Sequence, residues 1–256
     1  MLKATFLGTG PALPETGGDT ASVLVNDTVL FDTGWNSTLR LTEWGHDPAR
    51  ITHLFFTHFH PDHYLGLPSL LFYRAMRMLN DTDKPLLTIV GISGEVEKVV
   101  ARARQFLQEE TDPAAICPLQ VVPLGAGDSV TVGSLEISAG LASHTVPAFC
   151  YRVEDRETGS VLGFTGDSEY HPAIPEHLRH ADLIIADATF GASPAPANNP
   201  YRHMGAPDAV RIAQEAHAKR LALTHARLEK RDAAVETART LFPATFWPQN
   251  GETVTL

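Results

Sequence analysis

Four side chains able to bind a metal crowd into six residues: His58, His60, Asp62 and His63, within the stretch Leu-Phe-Phe-Thr-His-Phe-His-Pro-Asp-His-Tyr-Leu-Gly-Leu at 54–67. The chain holds 12 histidines in 256 residues, so a chance polar turn explains this density poorly. Imidazole suits zinc, iron and other first-row ions, and carboxylate suits harder ones. The mixed set fits Zn2+, with Mn2+ and Fe2+ as alternatives. The apolar run Leu54 to Phe56 reads as a strand. On a strand carried as far as His60, the rings of His58 and His60, two apart, lie on one side. Pro61 has no N–H for a ladder and stops the strand, after which the chain turns and Asp62 and His63 aim elsewhere. Two ligands aimed one way and two another is what a pair of adjacent ions requires. Such a pair can hold both the attacking and the leaving oxygen of an in-line displacement.

The elements that must position these groups alternate in type. Leu2 to Leu7 reads as a first strand, ended by Gly8-Thr9-Gly10-Pro11. Those glycines allow a tight turn and a close backbone approach to a ligand, with a simple turn equally open. No helix follows, which excludes a dinucleotide fingerprint. Ala21–Val25 and Val29–Phe31 form short strands around Asn26-Asp27, a hairpin signal. Asp32 then precedes a helix over 36–45. Helices are expected over 67–79 and over 95–109, the latter with Val96, Val99, Val100, Ala103, Phe106 and Leu107 on one side. Strands are expected at 86–90, 119–122, 129–132 and 135–141. Strands, helices, strands and helices in that order predict an α/β layering of two sheets covered by helices, in one domain spanning residues 1–256.

The spacing of the metal stretch matches the H-x-H-x-D-H signature and resembles the metallo-β-lactamase superfamily. The resemblance implies a four-layer αββα sandwich with two divalent ions at one edge of its sheets. It implies that Asp32 buttresses the metal loop by orienting a ligand histidine; a helix cap is the plainer alternative. His144 follows a strand in His-Thr-Val-Pro-Ala-Phe-Cys-Tyr-Arg, similar to the His-x-x-Pro-x-x-x-Tyr-Arg pattern of RNase Z-like members. Asp167 ends the apolar run Leu162-Gly163-Phe164-Thr165-Gly166, and in the superfamily the carboxylate there bridges both ions. His225 stands at the tip of the strand from Leu221. The implied sets are His58, His60, His144 and Asp167 on one ion, and Asp62, His63, His225 and Asp167 on the other.

Later motifs narrow the branch. Ala181 to Phe190 looks like the buried strand that ends Glu-Ala-Thr-Phe in RNase Z proteins, and His203 leads an Ala-rich helix over 206–218. The resemblance implies that His203 is the general acid and Asp187 its carboxylate partner, with Asp62 also orienting the nucleophile. Two positions depart from the pattern. Asp187 is one methylene shorter than the family's Glu, and Met204-Gly205 replaces Ser-Thr. The remaining histidines, His46, His53, His171, His177, His180 and His217, read as structural or surface groups.

One absence separates the chain from tRNA-processing members, which carry a Gly- and Lys-rich arm between the ligand His and the bridging Asp. Here His144 and Asp167 are 23 residues apart, and two strands with a turn at 155–160 fill most of that. Thirty acidic residues against twenty basic ones give a formal charge of −10, which disfavours a broad nucleic-acid or anionic-membrane surface. The start of the chain is too weakly apolar for a signal peptide, and no run approaches the ~20 residues of a membrane span. Cys117 and Cys150 form no metal-type pair, and free thiols in a reducing cytoplasm are expected. A homodimer is expected by resemblance.

These readings converge on a dinuclear metal-dependent hydrolase acting on a small or short phosphodiester through in-line attack of a metal-bridging hydroxide. The alternatives are an aryl-sulfate ester hydrolase, a tRNA 3′-processing endonuclease (RNase Z), a lactonase and a metal-binding protein without turnover.

Overall fold

The computed structural model describes residues 1–80, 85–111 and 116–256. Two seven-stranded sheets face each other. The first comprises β1 (Lys3–Gly8), β2 (Ser22–Val25), β3 (Val29–Phe31), β4 (His53–Phe55), β5 (Leu87–Ile92), β6 (Leu119–Leu124) and β14 (Thr253–Thr255), in the order β14-β1-β2-β3-β4-β5-β6. The second comprises β7 (Ser129–Val132), β8 (Leu135–Leu141), β9 (Phe149–Asp155), β10 (Val161–Phe164), β11 (Leu183–Asp187), β12 (Leu221–Thr224) and β13 (Thr245–Phe246), in the order β13-β12-β11-β10-β9-β8-β7.

Period-2 alternation explains the layering. In β3, Val29 and Phe31 face the second sheet, whereas Leu30 faces outward. Both faces are buried, so the inner strands read as continuous apolar runs. Phe31 stacks on Phe164 of the opposite sheet with centroids 4.2 Å apart. Outside the first sheet, Leu30, Leu54 and Ile89 pack on α1 (Ser37–Glu43), α3 (Leu67–Arg77) and α4 (Val96–Phe106). Outside the second, Ile184 and Leu223 pack on α5 (Ala173–His177), α6 (Ala206–Glu215) and α7 (Leu228–Leu241). The result is the four-layer αββα sandwich. No helix among the described residues is long and apolar enough to cross a membrane.

Register delivers the site. Parallel pairing of Phe31 with Phe55 sets Asp32 beside Thr57, and parallel pairing of Asp187 with Thr224 sets Asp187 beside His225. The carboxyl ends of β3, β4, β10, β11 and β12 therefore reach one edge, where open α/β sheets bind ligands. Two main-chain links join the sheets there: Phe149 N–H donates to Thr57 O at 2.8 Å, within the isolated bridge of His58 with Ala148, and His225 N–H donates to Thr9 O at 2.9 Å.

Several boundaries move. The strand entering the metal stretch stops at Phe55, and only the isolated bridge at His58 continues it. Pro61 instead occupies the first turn of α2 (Pro61–Tyr64), where its missing N–H costs nothing. The helix expected over 206–218 ends at Glu215. Both cysteines are free and buried.

Candidate metal centre

Two groups of ligand atoms form at this edge. His58, His60 and His144 make one; Asp62, His63, Asp167 and His225 make the other, and the members of each lie within 4.8 Å of one another. Asp167 Oδ2 sits between them, 3.9 Å from His58 Nε2, 3.3 Å from His63 Nε2 and 3.1 Å from His225 Nε2. Asp62 Oδ2 lies 3.4 Å from His63 Nε2 and 3.6 Å from His225 Nε2. His58 and His60 enter the same group by different nitrogens. With the strand ended at Phe55, the shared-side geometry of an extended strand is replaced by the turn into α2.

The outward hydrogen bonds decide which nitrogen carries a proton. A carboxylate only accepts, so His63 Nδ1–H donates to Asp32 Oδ2 at 2.9 Å, and the Thr57 hydroxyl donates to the same oxygen at 2.7 Å. Thr57 Oγ1 is then the acceptor for His58 Nδ1–H at 3.1 Å. Likewise the Thr189 hydroxyl donates to Asp187 Oδ1 at 2.7 Å and accepts from His225 Nδ1–H at 2.9 Å. His144 Nδ1–H donates to Arg202 O at 3.1 Å. Each ring thus turns an Nε2 lone pair inward.

The Nε2 atoms of His58, His63 and His225 are buried and have no hydrogen-bond partner. His144 Nε2 faces His60 Nδ1 at 3.0 Å, where a cation would take the place of a shared proton. Buried lone pairs converging on buried carboxylates are the arrangement that divalent cations complete. The residues therefore fit such ions.

Electrostatics agree. Burial, and then the His63 ring beside it, hold His58 well below the usual imidazole range, in the neutral state a ligand needs. Burial also pulls His63 and His225 down, yet the surrounding carboxylates together override it and lift both, Asp167 with Asp32 at His63, strongly, and Asp167 with Asp62 and Asp187 at His225. Burial would raise Asp167, but His225 and His63 outweigh it and keep that carboxyl well below the usual carboxylate range. The centre calls for positive charge, which protons or cations can supply.

Local backbone serves this geometry. Asp32 and His225 both adopt left-handed conformations, φ 53° and 68°, which cost energy in non-glycine residues and persist where the surroundings enforce them. Thr9 O accepts from His225 N–H at 2.9 Å. The turn after β1 therefore holds a candidate ligand, and its close approach is to backbone: a Cβ on Gly8 would collide with Thr20 O. Asp32 does not cap α1, whose N-cap is Asn36.

His203 and Asp187 stand at the rim. His203 Nδ1–H donates to Asp187 Oδ2 at 2.6 Å, so the shorter side chain at position 187 still makes the contact. Burial lowers the His203 imidazole, but the Asp187 carboxylate more than offsets this and lifts it to about 9. Asp187 Oδ1 accepts from Thr189 N–H and its hydroxyl. With its oxygens engaged in this way, Asp187 positions side chains; it is a poor candidate for a ligand although it lies in a third cluster with Asp167, His203 and His225.

Three orienting residues escaped sequence reasoning: Asp19, Thr57 and Thr189. Asp19 is buried and accepts from the N–H groups of Thr20, Trp35 and Asn36, fixing the chain after Asp32. Thr189 follows Asp187 by two residues in Ala-Asp-Ala-Thr-Phe, a motif that offered a signal. Asp19 and Thr57 carried none, because the partners that give them their roles, Trp35 and Asn36 for Asp19 and Asp32 for Thr57, are distant in sequence.

The family profile described as "Beta-lactamase superfamily domain" matches residues 27–226. A curated relative, "Ribonuclease Z" of Geobacillus kaustophilus, is 26% identical over 95% of each chain. That alignment spans 302 positions against 256 residues here, so the relative carries residues without a counterpart. The "metallo-beta-lactamase fold protein YhfI" from Bacillus subtilis superposes with a TM-score of 0.84 at 22% identity, covering 99% of this chain and 98% of that one. "A New Diphosphatase from the PhnP Family" superposes with a TM-score of 0.76 at 18% identity, covering 100% and 98%. The chain belongs to the beta-lactamase superfamily.

Proposed function

We propose that the protein is a dinuclear phosphodiesterase that cleaves a small or short phosphodiester. The observation that carries this reading is the pairing of two ligand groups around Asp167 with a hydrogen-bonded His203–Asp187 dyad at their rim. A phosphodiester needs three things at once: an activated water, compensation of charge on its non-bridging oxygens, and a proton for its leaving oxygen. Two divalent ions, zinc foremost, held by His58, His60 and His144 on one side and by Asp62, His63 and His225 on the other, with Asp167 between, would supply the first two.

The chain's own residues supply the third. Asp187 holds the His203 ring through Nδ1, which leaves Nε2 as the proton-bearing atom for the leaving oxygen. The lift to about 9 keeps that proton in place at neutral pH. Asp62, held through its main-chain O by the Thr20 hydroxyl at 2.8 Å, keeps a carboxylate beside the nucleophile.

Substrate size follows from the segment between His144 and Asp167. It consists of β9 and β10, which pair from Tyr151–Phe164 to Glu154–Val161 across a short turn. Nothing there extends far enough to grip a folded RNA, and the net charge of −10 opposes one. Cleavage of an RNA phosphodiester is the second reading, favoured by the likeness to proteins named ribonuclease Z; it would use the same ions and the same dyad.

The test is turnover by protein reconstituted with zinc or manganese. Bis(p-nitrophenyl) phosphate should be hydrolysed in strong preference to the matching aryl sulfate. Preference for the sulfate would overturn the phosphodiester reading. Efficient trimming of a tRNA precursor would favour the second reading.

A further inference from the structure

A groove of about 400 Å³ opens beside His144, walled by residues 141–149 and closed on the other side by His171 and Arg202. Its walls are mixed. Leu141, Val146 and Pro147 are apolar, Ser143 and Thr145 bring hydroxyls, and no carboxylate lines it among the described residues. His171 Nδ1 accepts from Ala173 N–H at 3.2 Å, which leaves Nε2–H as a donor.

Arg202 is the unusual member. Its backbone is left-handed, φ 51°, an uncommon state for a long side chain. Two contacts tie it to His144: its carbonyl accepts from His144 Nδ1–H at 3.1 Å, and its Nη1 donates to His144 O at 3.3 Å. Its Nε lies 3.8 Å from Glu169 Oε1, beyond hydrogen-bond reach. A guanidinium offers five N–H donors; one is engaged here, and the group is half-exposed at the groove. It also immediately precedes His203 in the chain. The strained backbone thus places unspent donors next to both a metal-site histidine and the proposed acid. A guanidinium fork matches the oxygens of a phosphate.

We propose that this groove is the substrate cleft and that Arg202 anchors within it a second phosphate, one the substrate carries in addition to the scissile diester. The inference rests on the phosphodiesterase reading for the identity of the scissile group. It adds a selectivity: substrates bearing a further phosphate are preferred over those whose flanking group is neutral. Arg202 binds substrate here, while its carbonyl positions the His144 ring whatever side chain stands at 202.

Binding to the zinc-loaded protein tests it. Thymidine 3′,5′-bisphosphate and thymidine 5′-monophosphate are titrated calorimetrically against the natural chain, Arg202→Gln and Arg202→Lys. The natural chain should bind the bisphosphate roughly tenfold more tightly, the worth of one charge-assisted contact. Arg202→Gln should bring the two affinities together, and Arg202→Lys should restore part of the difference. Equal affinities in the natural chain, or an undiminished difference in Arg202→Gln, would overturn the proposal. Should the Gln variant bind neither nucleotide, the Lys variant decides, since a retained preference requires the positive charge and an abolished one denies it. Turnover of bis(p-nitrophenyl) phosphate, followed in parallel, reports on the phosphodiesterase reading alone. Its absence alongside a clear binding preference sinks that reading and leaves the anchor standing.

Discussion

The two ligand groups are built differently. The quartet of Asp62, His63, Asp167 and His225 is buried throughout, and both its histidines are steered by carboxylates: His63 by Asp32 directly, His225 by Asp187 through the Thr189 hydroxyl. The trio of His58, His60 and His144 brings no carboxylate of its own. Only His58 is steered by a carboxylate, Asp32 acting through the Thr57 hydroxyl; His144 is steered by a main-chain carbonyl, and His60 is only half-buried, 3.2 Å from the Thr145 hydroxyl at the groove. Carboxylate steering raises ligand basicity more than a neutral acceptor does. The buried group should therefore hold its ion more firmly, and the open trio should be the side on which substrate arrives.

The harshest way to break this comparison is to remove what both groups share. Asp167→Ala should lose both ions by elemental analysis and all turnover; a variant that kept one ion at full occupancy would show that the carboxylate is not shared. Next comes the dyad. His203→Ala should retain both ions and lose ~10²–10⁴ in kcat, and full activity would remove His203 from the chemistry.

Asp32→Ala sharpens the contrast itself. It should weaken the ion at the buried group, where His63 bonds Asp32 directly, by about 10–100-fold, and the trio's ion less, because His58 feels Asp32 only through the Thr57 hydroxyl; equal loss at both would erase the distinction. The smallest effect is spectroscopic. In metal-free protein the His203 ring should titrate near 9, charged below that pH and neutral above it. Asp187→Asn removes the charge that raises it, so the midpoint measured by NMR should fall toward or below the ordinary imidazole value. An unmoved midpoint would mean Asp187 does not govern the ring.

How much of this was legible in the sequence follows from how local each signal is. The four metal-binding side chains from His58 to His63 sit within six residues, so their density spoke for itself. The strand tips at Asp167 and His225 could be read because both follow apolar runs. The layering could be read from β-period and helix-period runs, though β4 proved to be only three residues long. Asp19 and Thr57 were invisible. Each is an ordinary residue whose role arises when chain segments meet, Thr57 with Asp32 across 25 positions and Asp19 with Trp35 and Asn36 across a loop. The third strand of information missing was the tail: β13 and β14 span two and three residues, too few for periodicity to register, yet β14 completes the first sheet against β1.

The main-chain links from Phe149 to Thr57 and from His225 to Thr9 have a mechanical consequence. Elsewhere, among the described residues, the sheets meet through side chains, which can slide past one another; at this edge they are stitched backbone to backbone. A shearing motion of the sandwich must pivot here, so the far edge can breathe while the site keeps its dimensions. The Phe149 amide should accordingly be among the slowest to exchange with deuterium, and the molecule should begin to come apart at the end opposite its chemistry.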